Sequence, residues 1–332
     1  MLRTRARFPE RIGPGVAHYE SFYIKATRPG GGQGVWIRHT VHKRPGQEAT
    51  CAIWFVLFDA EAEAPRATKA QYGAERLSVP EGSYIKVAEA ELGDGRAIGR
   101  LATDAFEASW HLRFSDPHQP FHHLPREFLY DAKLPKTKFL SPYPNAIFDG
   151  VMTIAGEQLE VHGWRGMIGH NWGAEHAERW VWVQGAAFEG HDAGDYFDMA
   201  VGRIRVAGLR SPWVGNANLV LDGTEHRLGG FERLASTKVS EEPTGAHFSL
   251  KGKGLKLSGR VSSPAKNFVA WIYADPVGPE HTTLNCSISD LELAVERDGA
   301  PSERLVVTGA AAYEFGSREV GHGIPVQPYP DG

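Results

Sequence analysis

Strict alternation of apolar and polar residues, repeated along most of the chain, constrains this fold more than any other feature of the sequence. In "ASWHLRFSD", Ala108, Trp110, Leu112 and Phe114 point one way while Ser109, His111, Arg113 and Ser115 point the other. That is the period of a strand half-buried on a sheet. The same period runs through "YESFYIKA", "GVWIRHTVHK", "GSYIKVAEAEL", "HFSLKGKGLKLSG", "NFVAWIYADP" and "LELAVERDG". "CAIWFVLFDA" is apolar on both faces, as a strand covered on both sides must be. Asp222-Gly223 and Asp298-Gly299 are hairpin signals. No run of comparable length has helical periodicity, and only "GAEHAER", residues 173–179, is predicted to form a short helical turn. The fold class is all-β.

A plan of aromatic strand, glycine-rich loop and second strand occurs in "HYESFYIKATRPGGGQGVWIRHTVH". It returns about 160 residues later in "RWVWVQGAAFEGHDAGDYFDMAVGRI". Two consecutive β-barrel or sandwich domains, residues 1–175 and 176–332, fit this pattern. The segment "SDPHQPFHHLPREFLYDAKLPKTKFLSPYPN" is too apolar for a free linker and is expected to pack across their junction.

Composition narrows the function classes. With 42% hydrophobic and 23% charged residues the chain is a folded globular protein. A net charge of −4 gives no basic surface for a polyanion, so no nucleic-acid partner is expected. The basic start "MLRTRARFPERIGPG" has no apolar core of a leader, and no stretch approaches the ~20 apolar residues of a span. A cytoplasmic location with no membrane insertion is the expectation. Cys51 and Cys286 lie in apolar strands and read as buried thiols, and no C-x-x-C spacing marks a zinc site. "GGGQG", residues 30–34, lacks the helix and Lys-Ser/Thr of a phosphate loop and reads as a flexible hairpin loop.

Candidate chemistry gathers in "GWRGMIGHNWGAEHAERWVWVQG", residues 163–185, which holds four of the nine tryptophans and two of the fifteen histidines. On a strand, Trp180, Trp182 and Gln184 share one face opposite Val181 and Val183. Tyr196 and Asp198 share a face in "DYFDMAVG", and Trp36, Arg38, Thr40 and His42 share one in "GVWIRHTVHK". Aromatic, amide and single carboxylate groups on one face suit a ligand cavity, although large core residues with locally satisfied polar atoms would look the same. His170, Glu175 and His176 invite a metal reading. Their spacing matches neither the helical nor the strand pairing of ligands, so no metal is expected.

"LSPYPNAIFDGVMTI", followed by the G-H-N-W-G block and with the W-I-R-H-T strand upstream, resembles the carotenoid 1,2-hydratase (hydroxyneurosporene synthase) superfamily. The resemblance implies two consecutive lipocalin-like barrels with the motif at their junction. It also implies a cofactor-free lyase or isomerase, a hydratase or cyclase. Such an enzyme protonates an alkene of a hydrophobic, terpenoid-like small molecule and lets water or an internal nucleophile capture the cation. That chemistry needs an acid in apolar surroundings, and Asp198 or Glu175 would supply it. His170 or His176 would place water or relay the proton. Trp36, Trp172, Trp180 and Trp182 would form a cation-stabilising wall. Arg38, Asn171, Gln184 and Tyr196 would orient the substrate or the water. A lipocalin-like carrier of a hydrophobic molecule, without catalysis, is the other reading.

Overall fold

In the computed structural model residues 2–206, 209–319 and 321–329 are described. Among them nearly every element is an antiparallel strand, in a twelve-stranded and a ten-stranded sheet plus one two-stranded ribbon. The first sheet runs from Arg66–Gly73 through Thr50–Asp59, Gln33–Lys43 and His18–Thr27 to the long pair Glu157–Gly173 and Thr137–Ile154, then through Glu107–Ser115 to Leu77–Ser78. The second is centred on Arg179–Ala186, with Tyr196–Arg203 and Val214–Leu221 on one side and Glu303–Ser317 and His281–Arg297 on the other. The chain passes from one sheet to the other between Gly173 and Arg179. No helix among the described residues is long and apolar enough to cross a membrane.

The doubly apolar strand Thr50–Asp59 shows how the two units fit. Cys51, Ile53, Phe55 and Leu57 lie in the core of the first unit. Ala52, Trp54, Val56 and Phe58 lie in a core shared with the second sheet. One strand thus has its two faces in two cores, which is why it shows no alternation. The alternating strand beside it obeys the same rule, since Val35, Ile37 and Val41 enter the first core and Trp36 the shared one.

Local chemistry explains the turns. Asp222 and Gly223 both have positive φ (51° and 71°) and close a two-residue hairpin between Leu221 and Thr224, the geometry such a pair favours. "GSYIKVAEAEL" forms a hairpin rather than one strand, turning at Ala88 with φ 51°. Residues 174–178 form bends and no helical turn; the ring of His176 is instead stacked on Tyr19 at 3.9 Å, so a contact with the first sheet sets the local path. The glycine-rich loop is a hairpin but not a free one. Gly32 donates its N–H to Gly309 O at 2.8 Å, and a Cβ on Gly31 would stand 2.3 Å from Thr308 O. Cys51 and Cys286 are free and buried.

Candidate active site

Three neighbouring strands of the second sheet present one face in layers. Strand register places Gln184 opposite Asp198 and Asp198 opposite Asn218. The layer on one side is Ala186, Tyr196 and Val220; on the other it is Trp182, Ala200 and Asn216. This face meets the first sheet: Gln184 Nε2 donates to Pro144 O at 3.4 Å, and Trp182 lies edge-on to Tyr23 with centroids 5.4 Å apart. Val181, Val183, Phe197 and Met199, one residue out of phase, are buried core.

Asp198 is wholly buried in the middle of this row. Ser141 Oγ donates to its Oδ2 at 2.5 Å and Trp182 Nε1 to its Oδ1 at 3.2 Å. His123 Nε2 stands 3.3 Å from Oδ2 and 3.2 Å from Ser141 Oγ. A serine, a histidine and an aspartate therefore meet, but as a triangle. In a nucleophile relay the aspartate holds one ring nitrogen and the serine the other. Here both use Nε2, so Ser141 is a support for the carboxylate and not an activated nucleophile. The flanking amides are less complete. Gln184 Oε1 and Asn218 Oδ1 are buried without a hydrogen-bond partner, as is His123 Nδ1. Such groups cost on the order of 1–3 kcal/mol each. Buried polar atoms left open beside a carboxylate are groups whose hydrogen bonds a hydroxyl or a water would complete. Burial, and then Asp198, push the Tyr196 phenol up, and burial followed by Asp198 does the same to Tyr23. Both stay protonated donors at neutral pH. Tyr23 fits because the residue opposite it is Gly169, where a Cβ would stand 2.0 Å from the phenol ring.

The remaining tryptophans form a second, different group. Arg38 is buried, and its guanidinium lies 4.0 Å from the ring of Tyr273, 5.2 Å from Trp54 and 5.8 Å from Trp36. A protein cation already occupies these faces. Trp180 Nε1 donates to Glu314 Oε1 at 2.9 Å, and Asn285 Nδ2 to its Oε2 at 3.1 Å. Of the four expected wall tryptophans, Trp182 is the one in contact with Asp198. Rings pack closely beside the tryptophan-rich run: His176 to Trp180 is 5.5 Å, Trp54 to Trp271 4.9 Å and Trp54 to Tyr273 5.6 Å. A cleft of about 200 Å³ lies at the Ala186 end of the layered face, bordered by Lys25, Arg28, Arg165, Glu189, Thr308 and Ala310 among others. Its mouth is polar. Burial pushes the Lys25 amine down to about 7, and it donates to Ala310 O at 2.6 Å.

His170 and Trp172 are placed elsewhere. His170 is wholly buried with Nδ1 on Thr4 Oγ1 and Nε2 on Glu20 Oε1, both at 2.8 Å. Glu20 also accepts from the backbone N–H of Arg7 and Phe8, and from His18 at 3.2 Å. Burial alone would raise this carboxyl, but the hydrogen bonds from His170 and then His18 hold it at about 2. Asn171 Oδ1 accepts from Ser21 Oγ. Trp172 packs on Tyr130 and under Arg7, whose guanidinium is 4.8 Å above it. Glu175 is half-exposed and paired with Lys136 and Arg318. His176 is fixed by Asp275, whose Oδ1 accepts from its Nδ1 at 2.6 Å.

The structure thus gathers Asp198, Gln184, Trp182 and Tyr196, sets Trp36, Arg38 and Trp180 beside them in the aromatic group, puts Asn171 in phase with Met167 on the shared-core face, and separates His170, Trp172 and Glu175. Asn218, Ser141, His123 and Tyr23 were not anticipated. Asn218 carried a signal, being one of two polar residues, with Asn216, on one face of "NANLVL". Ser141 and His123 come from the proline-rich segment, which has no period to read. That segment does pack against the second sheet, with Asn216 Nδ2 donating to His123 O.

No family model matches the chain. The uncharacterised protein Rv0493c of Mycobacterium tuberculosis (strain H37Rv) is 23% identical over 296 residues, covering 87% of this chain and 85% of that protein. Among solved structures, a protein from Nitrosomonas europaea described as an AttH candidate aligns over 96% of this chain and 98% of its own, at 13% identity and a TM-score of 0.52. CghA in complex with Sch210972 aligns over 92% of this chain and 89% of its own, at 13% identity and a TM-score of 0.55. The chain therefore shares its fold, two lipocalin-like β units in succession, with these solved structures.

Proposed function

We propose that the chain is a cofactor-independent acid–base enzyme, a hydratase or cyclase acting on an alkene of a hydrophobic terpenoid-like molecule, with Asp198 as the proton-handling group. The observation behind this reading is the row Gln184–Asp198–Asn218, a buried carboxylate between two amides whose carbonyl oxygens are unpartnered. In hydration, a proton adds to one alkene carbon and the oxygen of water to the other, and the proton that water sheds restores the donor. Gln184 and Asn218 would hold that water by accepting its hydrogens. Asp198, steadied by Ser141 and Trp182, would pass the proton, a role worth about 10²–10⁴ in rate. The indole face of Trp182 would stabilise positive charge on carbon by ~0.5–2 kcal/mol, and Tyr196 and Tyr23 would donate to a substrate oxygen. Access would come from the cleft at Ala186, one layer of about 7 Å from the row along the strand.

The test is incorporation of deuterium from D₂O into a panel of prenyl alcohols and polycyclic terpenes. The parent protein should exchange at least one member, and Asp198→Asn should lose exchange by a factor of 10² or more while still binding it. A carrier would bind the panel with no exchange in either form, and that outcome would sink the enzymatic reading.

A further inference from the structure

Three side chains distant in sequence converge where the bend between the sheets meets the second sheet. His176 lies in the bend, Asp275 follows the strand Val269–Tyr273, and His281 opens the strand His281–Arg297. Each offers one ligating atom, and all three atoms lie within 4.8 Å of one another. Their side chains are 8%, 0% and 0% exposed. Asp275 Oδ1 accepts from the backbone N–H and from Nδ1 of His176, at 2.7 and 2.6 Å. Asp275 Oδ2, His281 Nδ1 and His176 Nε2 have no hydrogen-bond partner, with Oδ2 and the His281 nitrogen 3.7 Å apart.

A buried carboxylate oxygen facing an imidazole nitrogen without a hydrogen bond between them is costly, and a cation between the two satisfies both. We propose that His176, Asp275 and His281 bind one divalent transition-metal ion of the zinc class, which ties the bend to the second sheet. Two imidazoles and a carboxylate are the ligand types such ions take. With bonds of about 2.0–2.1 Å in tetrahedral geometry two ligand atoms stand about 3.4 Å apart, so the set closes by up to about 1.4 Å on binding. Tyr19 and Trp180 stack on His176, at 3.9 and 5.5 Å, and hold its ring in place. Arg318 Nε lies 3.3 Å from His281 Nε2 and must release that nitrogen, and Glu175, 3.5 Å from Arg318, is there to receive the guanidinium. The site departs from the expectation of no metal. The spacing of His170, Glu175 and His176 gave no ligand set, and only His176 of those three takes part.

The experiment treats the full chain with EDTA and titrates it with Zn²⁺ and, separately, Co²⁺, following binding by calorimetry and stability by thermal melting. One ion per chain, a raised Tm, and a visible Co²⁺ absorption of low-symmetry coordination are expected. Asp275→Asn and His281→Ala should weaken binding by more than the roughly 10–100-fold lost with a supporting residue. His162→Ala, at an imidazole 98% exposed, should leave it unchanged. If either ligand variant fails to fold, the stoichiometry and Co²⁺ spectrum of the unmutated chain decide. No stoichiometric binding of either ion, or binding that persists in Asp275→Asn and His281→Ala, overturns the proposal. Neither outcome bears on Asp198.

Discussion

Glu20 and Asp198 are both wholly buried carboxylates, yet their surroundings differ in completeness. Around Glu20 the bonds to the carboxylate itself are complete: His170 uses both ring nitrogens, and two backbone N–H groups and His18 fill the remaining acceptor sites. Around Asp198 the carboxylate is held, but the amides on each side keep an open oxygen. A complete buried network fixes one structure, and an incomplete one keeps a cost that a ligand can relieve. The first holds the N-terminal segment on the first sheet, and the second is the one we propose for chemistry.

The sharpest way to break the comparison is Glu20→Ala. Removing one partner of a buried charge network costs about 3–5 kcal/mol, so the denaturation midpoint should fall steeply. A small loss would mean the network is not structural. Next in size is Gly169→Ala, whose methyl would collide with the Tyr23 ring. Overpacking of this kind costs about 1–3 kcal/mol, and it should also impair exchange by displacing Tyr23 from its contact with Trp182. Asn218→Ala should change stability by less than about 1 kcal/mol, since the open oxygen it removes offsets the lost bond to Tyr196. Exchange should fall in that variant nonetheless, which separates a site residue from a structural one.

Acid should act on the structural side of the comparison. Burial pushes His39 down to about 3, and burial with His176 beside it pushes His281 to about 4. Burial likewise lowers His170 against the pull of Glu20. These imidazoles are neutral when folded and take up protons on unfolding once the pH is below about 6.5. The unfolded state then binds more protons, so stability falls as pH drops from there. Glu20, held at about 2, adds a further loss as pH falls from about 4.5 toward that value. Melting curves between pH 7 and 3 should show a progressive decline that steepens below about 4.5, and a flat profile would contradict these assignments.

Much of this was legible in the sequence. Period-2 patterning carried the all-β class, and the Asp-Gly pair located the hairpin at 222–223. Face alternation put Trp182, Gln184, Tyr196 and Asp198 in phase before any strand pairing was known. What sequence could not carry is adjacency across strands, which makes Asn218 and Ser141 neighbours of Asp198. The turn at Ala88 has no glycine to announce it. Nor does a dense run of histidine and tryptophan reveal whether its polar atoms are already partnered; His170 looks the same in sequence as an imidazole with a free nitrogen.

Asp198→Asn in D₂O probes the enzymatic claim most directly, with stability and deuterium incorporation read on the same sample. The isosteric amide keeps an acceptor for Trp182, so folding stability should stay within about 1 kcal/mol of the parent while incorporation into the terpenoid panel disappears. Incorporation that survives the substitution, or a parent protein that binds these alkenes and never exchanges them, would contradict it.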